Sequence, residues 1–203
     1  TPFTRISKGE RVATVKIIPY AAKTNDVNAI SCYFKRFINI ISVREFRPLK
    51  VGLIQTNDIY QRDALLEKTR EVVKNRLKPI LSSLRFVTQC DHSKSALQKV
   101  IFEQQLHCDI IVIVGPSAIV DRSDMIPRSI IEMGGRIEHY GMPVEPGHLL
   151  LLAYIGSIPI IGSPTCIRSK SDNGFDLLLN RFAAGLSVSS TDIMKMGVGG
   201  LLC

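Results

Sequence analysis

"DIIVIVG", Asp109 to Gly115, is the stretch on which the fold turns. A strand wetted on one side alternates apolar and polar residues, whereas Ile110, Ile111, Val112, Ile113 and Val114 run apolar without a break. Such a run belongs to a central strand of a parallel sheet covered on both faces. Its neighbours in sequence fit that role. "VGLIQ" (51–55) predicts an earlier strand. It is followed by Leu65, Leu66, Thr69, Val72, Val73, Leu77, Ile80, Leu81 and Leu84 at helical spacing, with a kink expected at Pro79. "RFVTQC" predicts a second strand and "SKSALQKVIFEQQL" a second helix. Downstream, "IPRSIIEMGG" predicts a short helix that tolerates Pro127 in its first turn and stops at Gly134 and Gly135. "LLLLAYI" and "IPIIG" are strands joined by a tight turn at Gly156 and Ser157. "DNGFDLLLNRFAAGL" is a helix starting at Asp172 and stopping at Gly185.

The expected fold class is therefore α/β: a three-layer sandwich with a mostly parallel sheet and helices on both faces. Residues 1–49 read differently. "RVATVKIIPYA" puts Ala13, Val15 and Ile17 on one face of a strand, "AAKTNDVNA" is a polar loop and "CYFKRFINIISV" is apolar again. We expect a small, truncated β-rich appendage with its linker over 1–49, the α/β domain over 50–186, and a tail or linker to a further domain over 187–203. The start without Met and the end at "GVGGLLC" suggest a piece of a longer protein.

The 203 residues are 45% apolar and 22% charged, enough for one substantial core. No apolar run approaches the roughly 20 residues that span a bilayer, so no membrane partner is expected. Five cysteines, odd in number and irregularly spaced without a CxxC pair, argue for reduced thiols in a cytoplasm, and against a disulfide framework or zinc module. The net charge of +8 favours anionic partners. Nucleic acid is not among those expected, because the cations are scattered, aromatics make up 6% of the chain and there is no Trp.

In a parallel sheet, ligands collect beyond the carboxyl ends of the strands. Thr56, Asn57 and Asp58 follow the first strand and suit either a ligand or a helix cap. After "DIIVIV" come Gly115 and Ser117, then Asp121 and Asp124 ahead of a helix. Two carboxylates so placed could hold Mg²⁺ beside a phosphate, or cap the helix and pair locally with Arg122. "GMPVEPGH" contains Pro146 and Gly147 in a rigid turn. "GSPTCIRS" offers Gly162, Ser163, Pro164, Thr165, Arg168 and Ser169, with hydroxyl donors and a guanidinium able to clamp a phosphate. Cys166 lacks an evident His–acid pair and reads as a packed or exposed thiol. No GxGxxG or GxxxxGK[ST] loop occurs, which weakens nicotinamide and ordinary NTPase readings.

In order along the chain, from about Val51 to Leu186, these loops resemble the molybdopterin-binding domain superfamily shared by molybdotransferases, adenylyltransferases and competence-induced proteins. "KGERVATVKIIP", "VGLIQT", "VDRSDMIP", "GMPVEPGHLLLL", "IGSPTCIRSKSDNGFD" and "DIMKMGVGGLL" resemble most the subgroup fused to a nucleotidyltransferase acting on molybdenum cofactor. The resemblance implies binding of molybdopterin, its nucleotide form or molybdenum cofactor, a role in cofactor biosynthesis, a fused nucleotidyltransferase domain and a homo-oligomer. It carries over Asp124 as the acidic residue associated with Mg²⁺ and catalysis, with Asp121 beside it. It also carries over Pro146, Gly147, Gly162, Pro164, Ser169, Thr56 and Asp58 as loop residues near the ligand. The chain departs from the pattern at Asn57, Pro116, Glu145, Thr165 and Cys166. These positions lie in the loops that catalysis uses, so a binding or presenting role stands beside nucleotidyl- or molybdo-transfer. A nucleotide or pyridine-nucleotide hydrolase and a non-catalytic assembly module are the alternatives.

Overall fold

The computed structural model describes residues 3–14, 16, 18–35, 41–58 and 63–197. The chain divides into two units, Thr1–Glu45 and Phe46–Cys203. In the first unit the described residues form a helix, α1 (Thr24–Phe34), where a polar loop and an apolar stretch were expected, and no strand. The physical reason is visible in hindsight. Val27, Ile30 and Phe34 recur at three- and four-residue intervals, a helical period, and Asp26 sits favourably in the first turn. None of these helical residues is buried. Val15, Ile17 and the 36–40 part of "CYFKRFINIISV" lie outside the described residues.

The second unit bears out the α/β sandwich. Its elements are β1 (Lys50–Asn57), α2 (Asp63–Leu77), β2 (Ser83–Asp91), α3 (Lys94–Gln104), β3 (Ile110–Val114), α4 (Met125–Glu132), β4 (Arg136–Tyr140), β5 (Leu151–Ile155), β6 (Ile158–Ser163), α5 (Gly174–Ala183) and α6 (Ser190–Met194). The sheet runs in the order β2-β1-β3-β6-β5-β4. β2, β1, β3 and β6 are mutually parallel neighbours, and β5 is antiparallel to both β6 and β4. The β5–β6 hairpin turns at Gly156, whose φ of +57° is the left-handed conformation such a turn uses.

Every side chain of β3 is buried, as its composition demands. On one face Val51, Leu53, Val112, Val114 and Ile161 pack against Val73 and Leu77 of α2 and Leu178 and Leu179 of α5. On the other, Ile54, Ile111, Ile113 and Ile160 pack against Leu97 and Ile101 of α3 and Ile126 and Ile130 of α4. The residues read as a tail pack in too: Val188, Ile193 and Met196 join the first of these clusters. α6 is held by a capping box in which Ser189 and Asp192 each accept from the other's backbone N–H. Residues 198–203 lie outside the described ones.

Gly52 shows how closely the second face is packed. A Cβ there would overlap Oε1 of Gln104, a buried side chain of α3 whose Nε2 donates to Thr88 Oγ1 at 3.0 Å. That carbonyl oxygen has no hydrogen-bond donor among the described residues and lies where the glycine leaves room. Gly52→Ala should lower the unfolding free energy by about 1–3 kcal/mol through overpacking. In a Gln104→Ala background the cost should shrink, a coupling that a double-mutant cycle in urea would read.

Candidate functional site

Because β1, β3 and β6 are parallel and adjacent, and β4 runs in their direction, the four stretches singled out in sequence begin at one edge of the sheet. Register makes this concrete: Gln55 pairs with Val114, and Val114 with Ser163. Thr56 and Asn57 still belong to β1, so they are not the start of a helix. Thr56 is wholly buried, and its Oγ1 lies 2.8 Å from His92 Nδ1. The carbonyl of Asn57 accepts from His92 N at 2.9 Å. Asp58 is exposed at the loop's start, while Ile59 and Tyr60 of the same loop lie outside the described residues. Gly115 is buried at the end of β3 and Ser117 is exposed just beyond it.

The β6 loop is organised by two arginines. Thr165–Arg168 forms a single 3₁₀ turn after Pro164. Arg168 does not extend as the sequence suggested. Its Nε donates to Thr69 Oγ1 of α2 at 3.0 Å and its Nη2 to the Gly115 carbonyl at 3.3 Å. Thr69 in turn donates to the carbonyl of Leu65 at 2.8 Å. Arg168 is thus a strut joining the β6 loop, α2 and the β3 loop, and burial pushes its pKa down. The second arginine, Arg76 of α2, has a buried side chain. It pairs with Asp176 of α5 and donates through Nη2 to the carbonyls of Ser169 (2.6 Å) and Ser171 (2.8 Å). One guanidinium therefore ties the loop, α2 and α5 together.

α5 begins at Asn173, one residue later than read. Asn173 accepts from Phe175 N, and its own N–H donates to Asp176 Oδ2 at 2.8 Å. Its Nδ2 also donates to the Cys166 carbonyl at 3.2 Å, so the cap and the loop share one side chain. Ser163 is buried, Thr165 and Ser169 are exposed, and Ser169 Oγ accepts from Ser171 N at 3.2 Å. Gly162 is a packing glycine: a Cβ would lie 2.6 Å from Ile119 Cδ1. Gly147, with a φ of +125°, lies against the start of α5, where a Cβ would stand 2.8 Å from Gly174 N. Pro146, joined to Glu145 by a cis peptide, accepts from that same Gly174 N–H at 2.9 Å. These two residues set the position of α5.

Asp124 is the N-cap of α4 and its Oδ1 accepts from Ile126 N at 3.2 Å. Asp121 is exposed and accepts from both N–H and hydroxyl of Ser123, which hold its carboxyl below the usual range. Both carboxylates face Tyr140 closely enough to reinforce the rise in its pKa that burial begins. Among the described residues no group of three His, Cys, Asp or Glu is placed to hold a metal ion. Burial, reinforced by the Glu145 charge, pushes the Cys166 pKa up. Burial likewise pushes Cys90 and Cys108 up to about 11.

No family model matches this chain, and no curated protein does. Among solved structures, a molybdopterin biosynthesis MoeA protein from Pyrococcus horikoshii aligns with 68% of the chain at 18% identity, with a TM-score of 0.50. The chain spans about a third of that protein's length, 35%. A molybdopterin biosynthesis protein from Mycobacterium abscessus aligns with 68% at 11% identity and a TM-score of 0.44, the chain covering 92% of it. At 18% identity the likeness to the first of these is one of fold.

Two expectations follow from the geometry. Arg76→Ala leaves the Asp176 charge buried without its partner and should cost about 3–5 kcal/mol in a urea unfolding experiment. Asp124→Ala should cost about 1 kcal/mol, whereas Asp124→Asn, which can still cap α4, should leave stability nearly unchanged.

Proposed function

We propose that the second unit is a molybdopterin-binding domain acting in molybdenum cofactor biosynthesis, and that it holds the pterin or its nucleotide form at the carboxyl edge of β1, β3 and β6. The observation that carries the reading is the convergence of the ends of β1, β3 and β6 on that edge, with Arg168 joining the β3 and β6 loops and Arg76 fastening the β6 loop from behind. A fold shared with a molybdopterin biosynthesis protein supports it. So does the sequence resemblance of "VGLIQT", "VDRSDMIP" and "GSPTCIRS" to the superfamily's loops.

The roles follow from the chemistry. Main-chain N–H groups of the β3 loop around Ser117 and the exposed hydroxyls of Ser117, Thr165 and Ser169 would bind the phosphate and pterin edges. Arg168 contributes by fixing the β3 and β6 loops at a set separation rather than by reaching out. Asp124 caps α4 and so aims that loop, and Asp121 would face any Mg²⁺ that arrives with the ligand's phosphates. Asn57, Asp58, Gly115, Ser163 and Pro164 shape the rim. Presentation of the cofactor to a fused nucleotidyltransferase, in an oligomer, is part of the same proposal.

Calorimetric titration of the purified chain with molybdopterin under anaerobic conditions should show saturable binding. Arg168→Ala should weaken it on the order of tenfold or more, the loss of one charge-assisted hydrogen bond's worth of ordering. Arg168→Lys should not restore it, since an ammonium cannot bridge Thr69 and Gly115 with a planar fork. Absence of binding by the unsubstituted chain would sink the reading.

A further inference from the structure

We infer, resting on that reading of the edge, that residues 188–197 are a strap that positions the Pro146–Gly147 loop at the rim, so that ligand affinity depends on a segment outside the β1, β3 and β6 loops. In sequence this stretch is only a tail after α5. In the structure it lies against β4, the last strand of the sheet, and is fastened there along its first residues. The Tyr154 hydroxyl donates to the Val188 carbonyl at 2.9 Å, Ser190 N donates to Glu138 Oε1 at 2.9 Å, and Ser190 Oγ lies 2.8 Å from His139 Nδ1. A hydroxyl can donate or accept, so the last contact holds with either ring nitrogen protonated. The strap then runs through α6 and ends in a 3₁₀ turn, Lys195–Gly197.

That turn meets the loop. Gly197 lies so close to Pro143 that a Cβ on the glycine would stand 2.8 Å from the proline's Cβ. Val188, Ile193 and Met196 share one buried cluster with Met142 and Val144. Residues 141–150 are closed into one piece, because Gly141 N donates to the Leu150 carbonyl (2.8 Å), Met142 N to that of His148 (2.9 Å) and Leu150 N to that of Gly147 (3.0 Å). β4 runs in the direction of β6, so this piece begins at the carboxyl edge. From it the contacts continue into the site. Met142 Sδ occupies the space a Cβ on Gly174 would need, Pro146 accepts from Gly174 N at 2.9 Å, and the neighbouring Asn173 donates to the Cys166 carbonyl of the β6 loop at 3.2 Å. Packing this dense transmits a displacement rather than absorbing it. Ser190 and Gly197 are thus positioning residues for the rim.

The test compares two strap variants with a control. Gly197→Ala drives a methyl group into Pro143, and Ser190→Ala withdraws the hydroxyl from His139 at the strap's other end. Gly52→Ala is the control, because it overpacks the α3 face of β1 and touches neither strap nor loop. In ¹⁵N–¹H spectra of the free chain, the amides of Gly141, Gly147 and Gly174 should shift in Gly197→Ala and stay in Gly52→Ala. Calorimetric titration with molybdopterin under anaerobic conditions, at a temperature where every variant is folded, should then show affinity lowered about two- to thirtyfold in Gly197→Ala. The loss should be smaller in Ser190→Ala and absent in Gly52→Ala despite its lowered Tm. Unmoved loop amides in Gly197→Ala would overturn the inference, as would moved amides with unchanged affinity, or a loss in Gly52→Ala as large as in Gly197→Ala. Molybdopterin bound equally well by all three variants removes the strap from the site and leaves the proposed function standing, whereas an unsubstituted chain that binds no molybdopterin removes both.

Discussion

Five β-branched residues in β3 must be kept from water on both sides at once, and most of the architecture answers that requirement. A strand with two apolar faces needs a helix over each, which forces crossover connections and hence parallel neighbours. β1 and β6 take those places, with α2 and α5 over one face and α3 and α4 over the other. The same constraint creates the candidate site, because three adjacent parallel strands cannot help delivering their following loops to one edge. The antiparallel β5 and then β4 extend the sheet on the β6 side, and β4, running in the direction of β6, sends the loop of Pro146 and Gly147 to that same edge.

The loops themselves are held by side chains from distant parts of the chain. Arg168 links the β6 loop to Thr69 of α2 and to the Gly115 carbonyl, His92 links β2 to Thr56, and Asn173 holds Cys166 while capping α5. Arg76 does the same from α2, with contacts to Asp176, Ser169 and Ser171. An ion pair at a water-exposed surface contributes little, but this one is largely dry, and both partners also make main-chain hydrogen bonds.

The fold was largely legible because its signals are local. The unbroken run 110–114, the Gly156 turn and the acidic residue ahead of "IPRSIIEMGG" each specify an element from within a few residues. α1 was missed because its apolar residues were read in blocks rather than at their three- and four-residue spacing. Arg76 was legible in principle, since it falls three residues after Val73 and seven after Thr69, on the buried stripe of α2. A cation there asks for a buried acid. Asp176 carried a signal too, as Asn173 and Asp176 stand at capping-box spacing. His92 and the inward turn of Arg168 could not be read, for their partners lie 36 and 99 residues away and neither pairing leaves a periodic trace. Asp121 and Asp124 read in sequence equally as a metal pair and as a cap with a local pairing, and the structure shows the hydrogen bonds of the second, from Ser123 and Ile126.

The position of Arg76 also bears on how fast a ligand could be captured. A rim loop left to itself would sample many conformations, and each binding event would have to freeze them. Here the guanidinium fastens the carbonyls of Ser169 and Ser171 to two helices before any ligand arrives. The ordering cost is met once, during folding, so any ligand of the proposed site would dock onto a preformed rim rather than search for one.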